Sequence, residues 1–336
     1  MRNIRINPGT HARMDARTHA CLPLRAVPQP VVADHISASW SCASRVLRVC
    51  SAWSTGMRGS IPRSIKPERN VRLALNRAPR CHPVGMRQVT VLGSCGSFPE
   101  AGRACSGFAV DWNGFRLVLD LGYATLPRLL AHWPDGAVDA VAITHEHPDH
   151  CIDLHGLFRM RYYGASVKRR LPLYCPPGVL DRLAGMEPDV DLAAVFDLHP
   201  LPGSYRVGPF ELTGMPLPHY VPNVGIRAQA DGIAFAYTGD TGPDPLLEEL
   251  SRDADLFIIE ATDRVGETER PVRNLMTSAE AGHWGRQAGA RRLMLTHFWP
   301  GNDREAAIAA ASANFDGEVL GGGVLAAAEG LTVQLS

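Results

Sequence analysis

The sequence predicts an α/β protein built as an αββα sandwich, two mixed sheets packed face to face with helices on the outer faces. Three observations carry this expectation. Strand-sized apolar segments open the region from residue 86 as a hairpin, and later ones alternate with helical patterns, which places helices outside paired sheets. Two dipeptides, Asn113-Gly114 and Asp231-Gly232, separate apolar runs where a two-residue turn needs positive φ at both positions. Val138–Thr144 is a continuous apolar run, as a strand covered on both faces requires.

Residues 1–85 stand apart. They carry 14 Lys+Arg against 3 Asp+Glu, whereas residues 86–336 carry 20 against 31, so zero formal net charge hides a sharp split. The basic segment is rich in Arg, Pro, Ser and His and has no sustained periodicity. It reads as a nucleic-acid-binding arm, a targeting segment, or a disordered extension or mis-assigned start. The last is favoured, because Met86 is followed at once by a clean strand.

From there the elements follow in order. Gln88–Leu92 is a strand, and Gly107–Trp112 and Phe115–Asp120 pair through Asn113-Gly114. A short helix is expected over 125–132, an apolar strand over Val138–Thr144, a helix over 153–163 and a strand over 171–175. Phe210–Leu217 and Ile226–Ala230 are strands, the second turning through Asp231-Gly232 into Ile233–Thr238. Helices over 244–252, 277–289 and 303–314 then alternate with strands over 255–260 and 292–296, and short strands close the chain at Leu331–Leu335. At 45% hydrophobic and 20% charged residues, the composition suits a soluble domain with a full core. No apolar run of 18 residues is present to span a bilayer. The 8 cysteines include no C-x-x-C pair and read as reduced thiols in a cytoplasmic protein.

The chemistry concentrates in Thr144-His145-Glu146-His147-Pro148-Asp149-His150, directly after a buried strand. Three imidazoles and a carboxylate within six residues suit zinc, manganese or iron. The Gly93–Pro99 loop reads equally as a backbone approach to phosphate and as a plain tight turn. His155 and His283 read as structural, His132 and His199 carry no motif, and Cys95 and Cys151 are near the motif without being expected ligands.

H-x-H-x-D-H resembles the signature of the metallo-β-lactamase superfamily, and His219, Asp240 and His297 follow in that family's order across 86–336. The resemblance implies that His145, His147 and His219 hold one divalent ion and Asp149, His150 and His297 a second, with Asp240 bridging. Zinc is the favoured metal. Two ions about 3.5–4 Å apart can share a water and bring its pKa toward roughly 7, so a bridging hydroxide is available as nucleophile. Asp149, His150 and Asp240 are the catalytic candidates, Asp149 also orienting that water.

Lactonase-type relatives place the third-motif His in Gly-His-Thr-x-Gly. Here His219 is followed by Tyr220-Val221-Pro222-Asn223-Val224-Gly225-Ile226-Arg227, similar to the ribonuclease Z and phosphodiesterase branch. Leu92–Gly96 and Met276–Ala281 are similar to the same branch. Leu275 stands where ribonuclease Z relatives carry a His for leaving-group protonation, with Asn274 beside it, and no inserted arm for a tRNA elbow is evident. The acidic balance of 86–336 also disfavours RNA. The expectation is a small or cyclic nucleotide-like phosphodiester substrate. A tRNA 3′-processing endoribonuclease and a lactonase or other ester hydrolase are the alternatives. Relatives in this branch are often dimers, so the resemblance makes a homodimer an expectation; no membrane partner is expected.

Overall fold

A computed structural model describes residues 85–164, 169–316 and 323–336. The expectation for residues 1–85 falls, Gly85 apart, outside the described residues.

Two seven-stranded mixed sheets form the centre. In the first, β1 (Arg87–Gly93), β2 (Gly107–Trp112), β3 (Phe115–Leu121), β4 (Ala140–Ala142), β5 (Leu171–Cys175) and β6 (Phe196–Pro200) lie in chain order, with β14 (Thr332–Gln334) beside β1. In the second, β7 (Gly203–Val207), β8 (Phe210–Leu217), β9 (Asn223–Ala230), β10 (Ile233–Tyr237), β11 (Leu256–Glu260), β12 (Leu293–Thr296) and β13 (Val324–Ala326) follow one another across the sheet. Helices α1 (Thr125–His132), α2 (Pro148–Tyr163) and α3 (Pro177–Met186) belong to the first half; α4 (Leu246–Ser251), α5 (Ser278–Gln287) and α6 (Arg304–Ser312) belong to the second.

Both expected hairpins form, with φ of 48° and 93° at Asn113 and Gly114, and 53° and 79° at Asp231 and Gly232. Between the sheets, Trp112 and Phe115 meet Phe210 edge-on at centroid distances of 5.1 and 6.1 Å, and Phe210 meets Phe235 at 5.7 Å. Such aromatic pairs add about 0.5–1.5 kcal/mol each beyond the area they bury. Two further apolar layers lie outside the sheets, one containing Leu129, Leu154 and Phe158, the other Leu250, Phe257 and Ala281. That is the αββα order.

Three details differ from the sequence expectation. Helix α2 begins at Pro148 rather than near 153, because proline lacks an N–H where a first helical residue needs none. The strand expected over Val138–Thr144 pairs fully only over Ala140–Ala142. And β6, β7 and α3 were not individually expected. The consequence for the site is that Asp149 and His150 sit on the first turn of a helix rather than in a loop.

Candidate metal centre

The strand directions bring the polar ends together. β3 and β4 run parallel, as do β10, β11 and β12, while β8 to β9 to β10 alternate, so β8 and β10 end on the same side. His145 and His147 follow β4, Asp149 and His150 open α2, His219 follows β8, Asp240 follows β10 and His297 follows β12. All seven residues read from the sequence are thereby gathered. One donor atom each from His145, His147, His219 and Asp240 lie within 4.8 Å of one another, and so do those of Asp149, His150, Asp240 and His297. Asp240 belongs to both groups.

Hydrogen bonds behind the cluster determine which way the imidazole lone pairs face. The Thr144 hydroxyl donates to Asp120 Oδ2 at 2.9 Å, so at its 3.0 Å contact with His145 it accepts from Nδ1–H. The Thr262 hydroxyl donates to Glu260, so it accepts from His297 Nδ1–H at 2.9 Å. His219 Nδ1–H donates to the Asn274 carbonyl at 2.9 Å, and His150 Nδ1–H to Asp120 Oδ2 at 2.7 Å. Four Nε2 atoms are thus turned inward, each orientation imposed by an outer partner, as in many metal sites.

The donor set fits divalent cations. His147 Nδ1 lies 3.0 Å from His145 Nε2 and 3.1 Å from His219 Nε2. A single Nδ1–H of His147 can align with only one of these two Nε2 lone pairs, whereas the edge of a tetrahedron around zinc, with bonds of about 2.0–2.1 Å, is about 3.3 Å and suits both separations. Asp240 Oδ1 is sealed from solvent without an aligned hydrogen bond, His150 Nε2 standing 3.1 Å off. Asp240 Oδ2 lies 3.2 Å from His297 Nε2, 3.6 Å from His219 Nε2 and 3.8 Å from His145 Nε2. A buried carboxylate so placed needs positive charge beside it, which protonated imidazoles or bound cations supply.

Electrostatics agree. Burial, reinforced by His150, holds His145 well below the ordinary imidazole range, and burial likewise lowers His147 and His219, so these three offer neutral lone pairs. Burial alone would raise Asp149, but the hydrogen bond from His297 and the charge of His150 bring it down to about 2. Asp240 is likewise pulled well below the carboxylate range by His150 and His297 against the burial cost. His150 and His297 move the other way: burial would lower both, but Asp240 together with Asp120 for His150, and Asp240 together with Asp149 for His297, outweighs it. A metal ion must displace those protons, so affinity for it falls as pH falls.

Two buried carboxylates of this network were not legible in the sequence. Asp120, held at φ 52° and fully buried, accepts from Thr144 N–H at 2.8 Å, from the Tyr237 hydroxyl at 2.8 Å, and from His150. Glu260 accepts from Thr241 N–H at 2.7 Å and from Thr262, and burial together with the Asp240 charge pushes its carboxyl to about 8. The only sequence signal for either is a carboxylate at the end of an apolar strand. The Gly93–Pro99 loop covers the cluster: Ser97 N–H donates to Asp149 Oδ2 at 2.6 Å, and a Cβ on Gly96 would lie 2.7 Å from the His297 ring. His155 pairs with Glu187 at 2.7 Å, His132 with Asp111 at 3.1 Å, and His199 stacks on Tyr174, all outside the donor set. His283 is exposed. Leu275 is buried. The four described cysteines are free and buried, and desolvation pushes the Cys151 thiol up to about 12.

Two facing mixed sheets with this donor cluster at their shared edge define a metallo-hydrolase. The chain belongs to the beta-lactamase superfamily, whose "Beta-lactamase superfamily domain" matches residues 118–298. It is 36% identical over 243 residues to the uncharacterized protein Rv1339 of Mycobacterium tuberculosis, covering 69% of this chain and 88% of that one. It is 29% identical over 293 residues to a ribonuclease Z of Thermobifida fusca, covering 70% and 92%. The crystal structure of the metallo-beta-lactamase fold protein YhfI from Bacillus subtilis superposes with a TM-score of 0.66 at 27% identity, covering 74% of this chain and 99% of that one. Among the described residues no helix is long and apolar enough to cross a membrane.

Proposed function

We propose that the chain is a dinuclear-metal-dependent phosphodiesterase acting on a small or cyclic nucleotide-like phosphodiester in the cytoplasm. His145, His147 and His219 would hold one ion and Asp149, His150 and His297 the other, with Asp240 shared. The observation that carries this is the membership of Asp240 in both donor groups. Bound divalent ions supply hydroxide at neutral pH and polarise the scissile group. The chain's own part is orientation: Asp120, Thr144, Thr262 and the Asn274 carbonyl fix the imidazoles, and Ser97 N–H fixes the Asp149 carboxylate. No serine or cysteine nucleophile is needed, and the Cys151 thiol, pushed up to about 12, would be a poor one at neutral pH.

The likeness to a ribonuclease Z favours tRNA 3′ processing as a second reading. Two features weigh against it: Leu275 has no proton to give a leaving group, and residues 86–336, with 20 basic against 31 acidic side chains, repel a polyanion.

Turnover of cyclic nucleotides, bis(p-nitrophenyl) phosphate, a p-nitrophenyl ester, a lactone and a tRNA precursor by the zinc-loaded full chain decides the matter. A kcat/KM for the small phosphodiesters about a hundredfold or more above the ester and lactone is expected. Faster lactone or ester turnover, or preference for the tRNA precursor, overturns the proposal.

A further inference from the structure

Beside the donor cluster lies a corner of the surface that metal binding does not use. Phe98 directly follows Ser97, whose N–H holds Asp149, yet its ring is 51% exposed. Trp299 lies two residues beyond His297 and meets Phe98 edge-on, with centroids 6.4 Å apart. The Arg264 guanidinium carbon sits 4.9 Å from the centre of the Trp299 ring. Each member is therefore one or two residues from a donor of the cluster or from a group bonded to one, or is stacked on such a residue.

The three arginines of the 263–274 segment are treated differently, Arg273 being paired with Glu280 at 2.8 Å. Arg270 is neutralised by Glu267 at 3.1 Å and covers Tyr220 at 5.7 Å, while the Tyr220 hydroxyl donates to the same Glu267 at 3.2 Å. That set is closed on itself. Arg264 makes its ring contact without an ion pair or hydrogen bond to a carboxylate among the described residues, so its N–H groups remain available. An exposed phenyl face next to a stacked guanidinium with unused donors matches a flat ligand that is apolar on its faces and carries acceptors on its edge. A nucleobase has that chemistry, and bases stack on aromatic rings and on arginine planes alike. A purely aliphatic group would leave the Arg264 donors unused.

We propose that Phe98, Trp299 and Arg264 form the nucleobase subsite of a nucleotide substrate. The base lies on the Phe98 ring with its edge toward the Arg264 guanidinium, while the sugar-phosphate reaches the donor cluster past Ser97. This rests on the phosphodiester reading for the chemistry at the cluster and adds what that reading lacks, the part of the substrate that is recognised.

The test is calorimetric titration of the zinc-loaded full chain with adenosine 5′-monophosphate and with ribose 5-phosphate, which differ by the base alone. The nucleotide is expected to bind about tenfold or more tightly. The ratio of the two dissociation constants should collapse toward one in Phe98→Ala and, separately, in Arg264→Ala. Equal affinities in the wild-type chain, no binding of either probe, or a ratio unmoved by Phe98→Ala would overturn the subsite. Binding is read without turnover, so failure here and failure of the phosphodiester assay are told apart.

Discussion

Replacing Asp240 with alanine is expected to lower kcat about a thousandfold, the several kcal/mol that metal polarisation of a reacting group supplies. The reasoning is local. Asp240 is the one residue whose carboxylate lies among both donor groups, and its Oδ2 is 3.2 Å from His297 Nε2 while also 3.6 Å from His219 Nε2. Without it, five imidazoles and Asp149 would have to hold the proposed pair of cations with one anion fewer. Asp240→Asn, which keeps the volume and removes the charge, should lose nearly as much. Steady-state kinetics on a chromogenic phosphodiester, with circular dichroism to confirm the fold, measures both. Retention of a tenth or more of wild-type kcat in either variant would show that Asp240 is dispensable.

A second large effect is expected from a residue that touches no metal donor with a side chain. An added Cβ on Gly122 would lie 1.9 Å from the Asp149 carbonyl oxygen, 2.6 Å from its carbonyl carbon and 2.9 Å from Cys105 Cβ. Two of those three atoms are backbone and cannot rotate away. The same carbonyl accepts from Ser106 N–H at 3.1 Å, and Gly122 N–H donates to the Ser106 carbonyl at 2.9 Å, so the segment is tied on both sides. Gly122→Ala should therefore push the first turn of α2, with Asp149 and His150, away from the cluster. Overpacking costs about 1–3 kcal/mol and sometimes more, and backbone contacts this close place the expected loss near the top of that range. Urea unfolding should show a lower midpoint, accompanied by weaker zinc binding. An unchanged midpoint together with unchanged zinc affinity would refute the argument.

The parts of the molecule that could be read from sequence share a physical property: their signal is local. The hairpins were legible because Asn113-Gly114 and Asp231-Gly232 tolerate positive φ between apolar runs. Of the seven residues that the structure gathers, four were legible because they stand within six positions directly after an apolar strand, and the other three, each also following an apolar strand, through the order of the family that this motif resembles. Asp120 and Glu260 were missed because what defines them is non-local: Asp120 meets Tyr237 across 117 positions, and Glu260 receives the Thr241 N–H across 19. A carboxylate ending an apolar strand is ambiguous until those partners are in place. Strands β6 and β7 were hidden by their punctuation. Pro200, Pro202 and Gly203 read as a turn, yet proline is tolerated on edge strands, and β6 and β7 lie at the ends of their sheets. The early start of α2 has a similar origin, Pro148 marking a helix beginning rather than a break.

The most direct test of the proposed two-cation site is the metal content of the purified full chain, measured by inductively coupled plasma mass spectrometry after equilibration with zinc and removal of loose ions. Two ions per chain are expected from the two donor groups, falling to one or fewer in Asp240→Ala, with turnover lost on chelation and restored by zinc. A wild-type chain that holds no tightly bound ion and keeps full turnover after chelation would contradict the account.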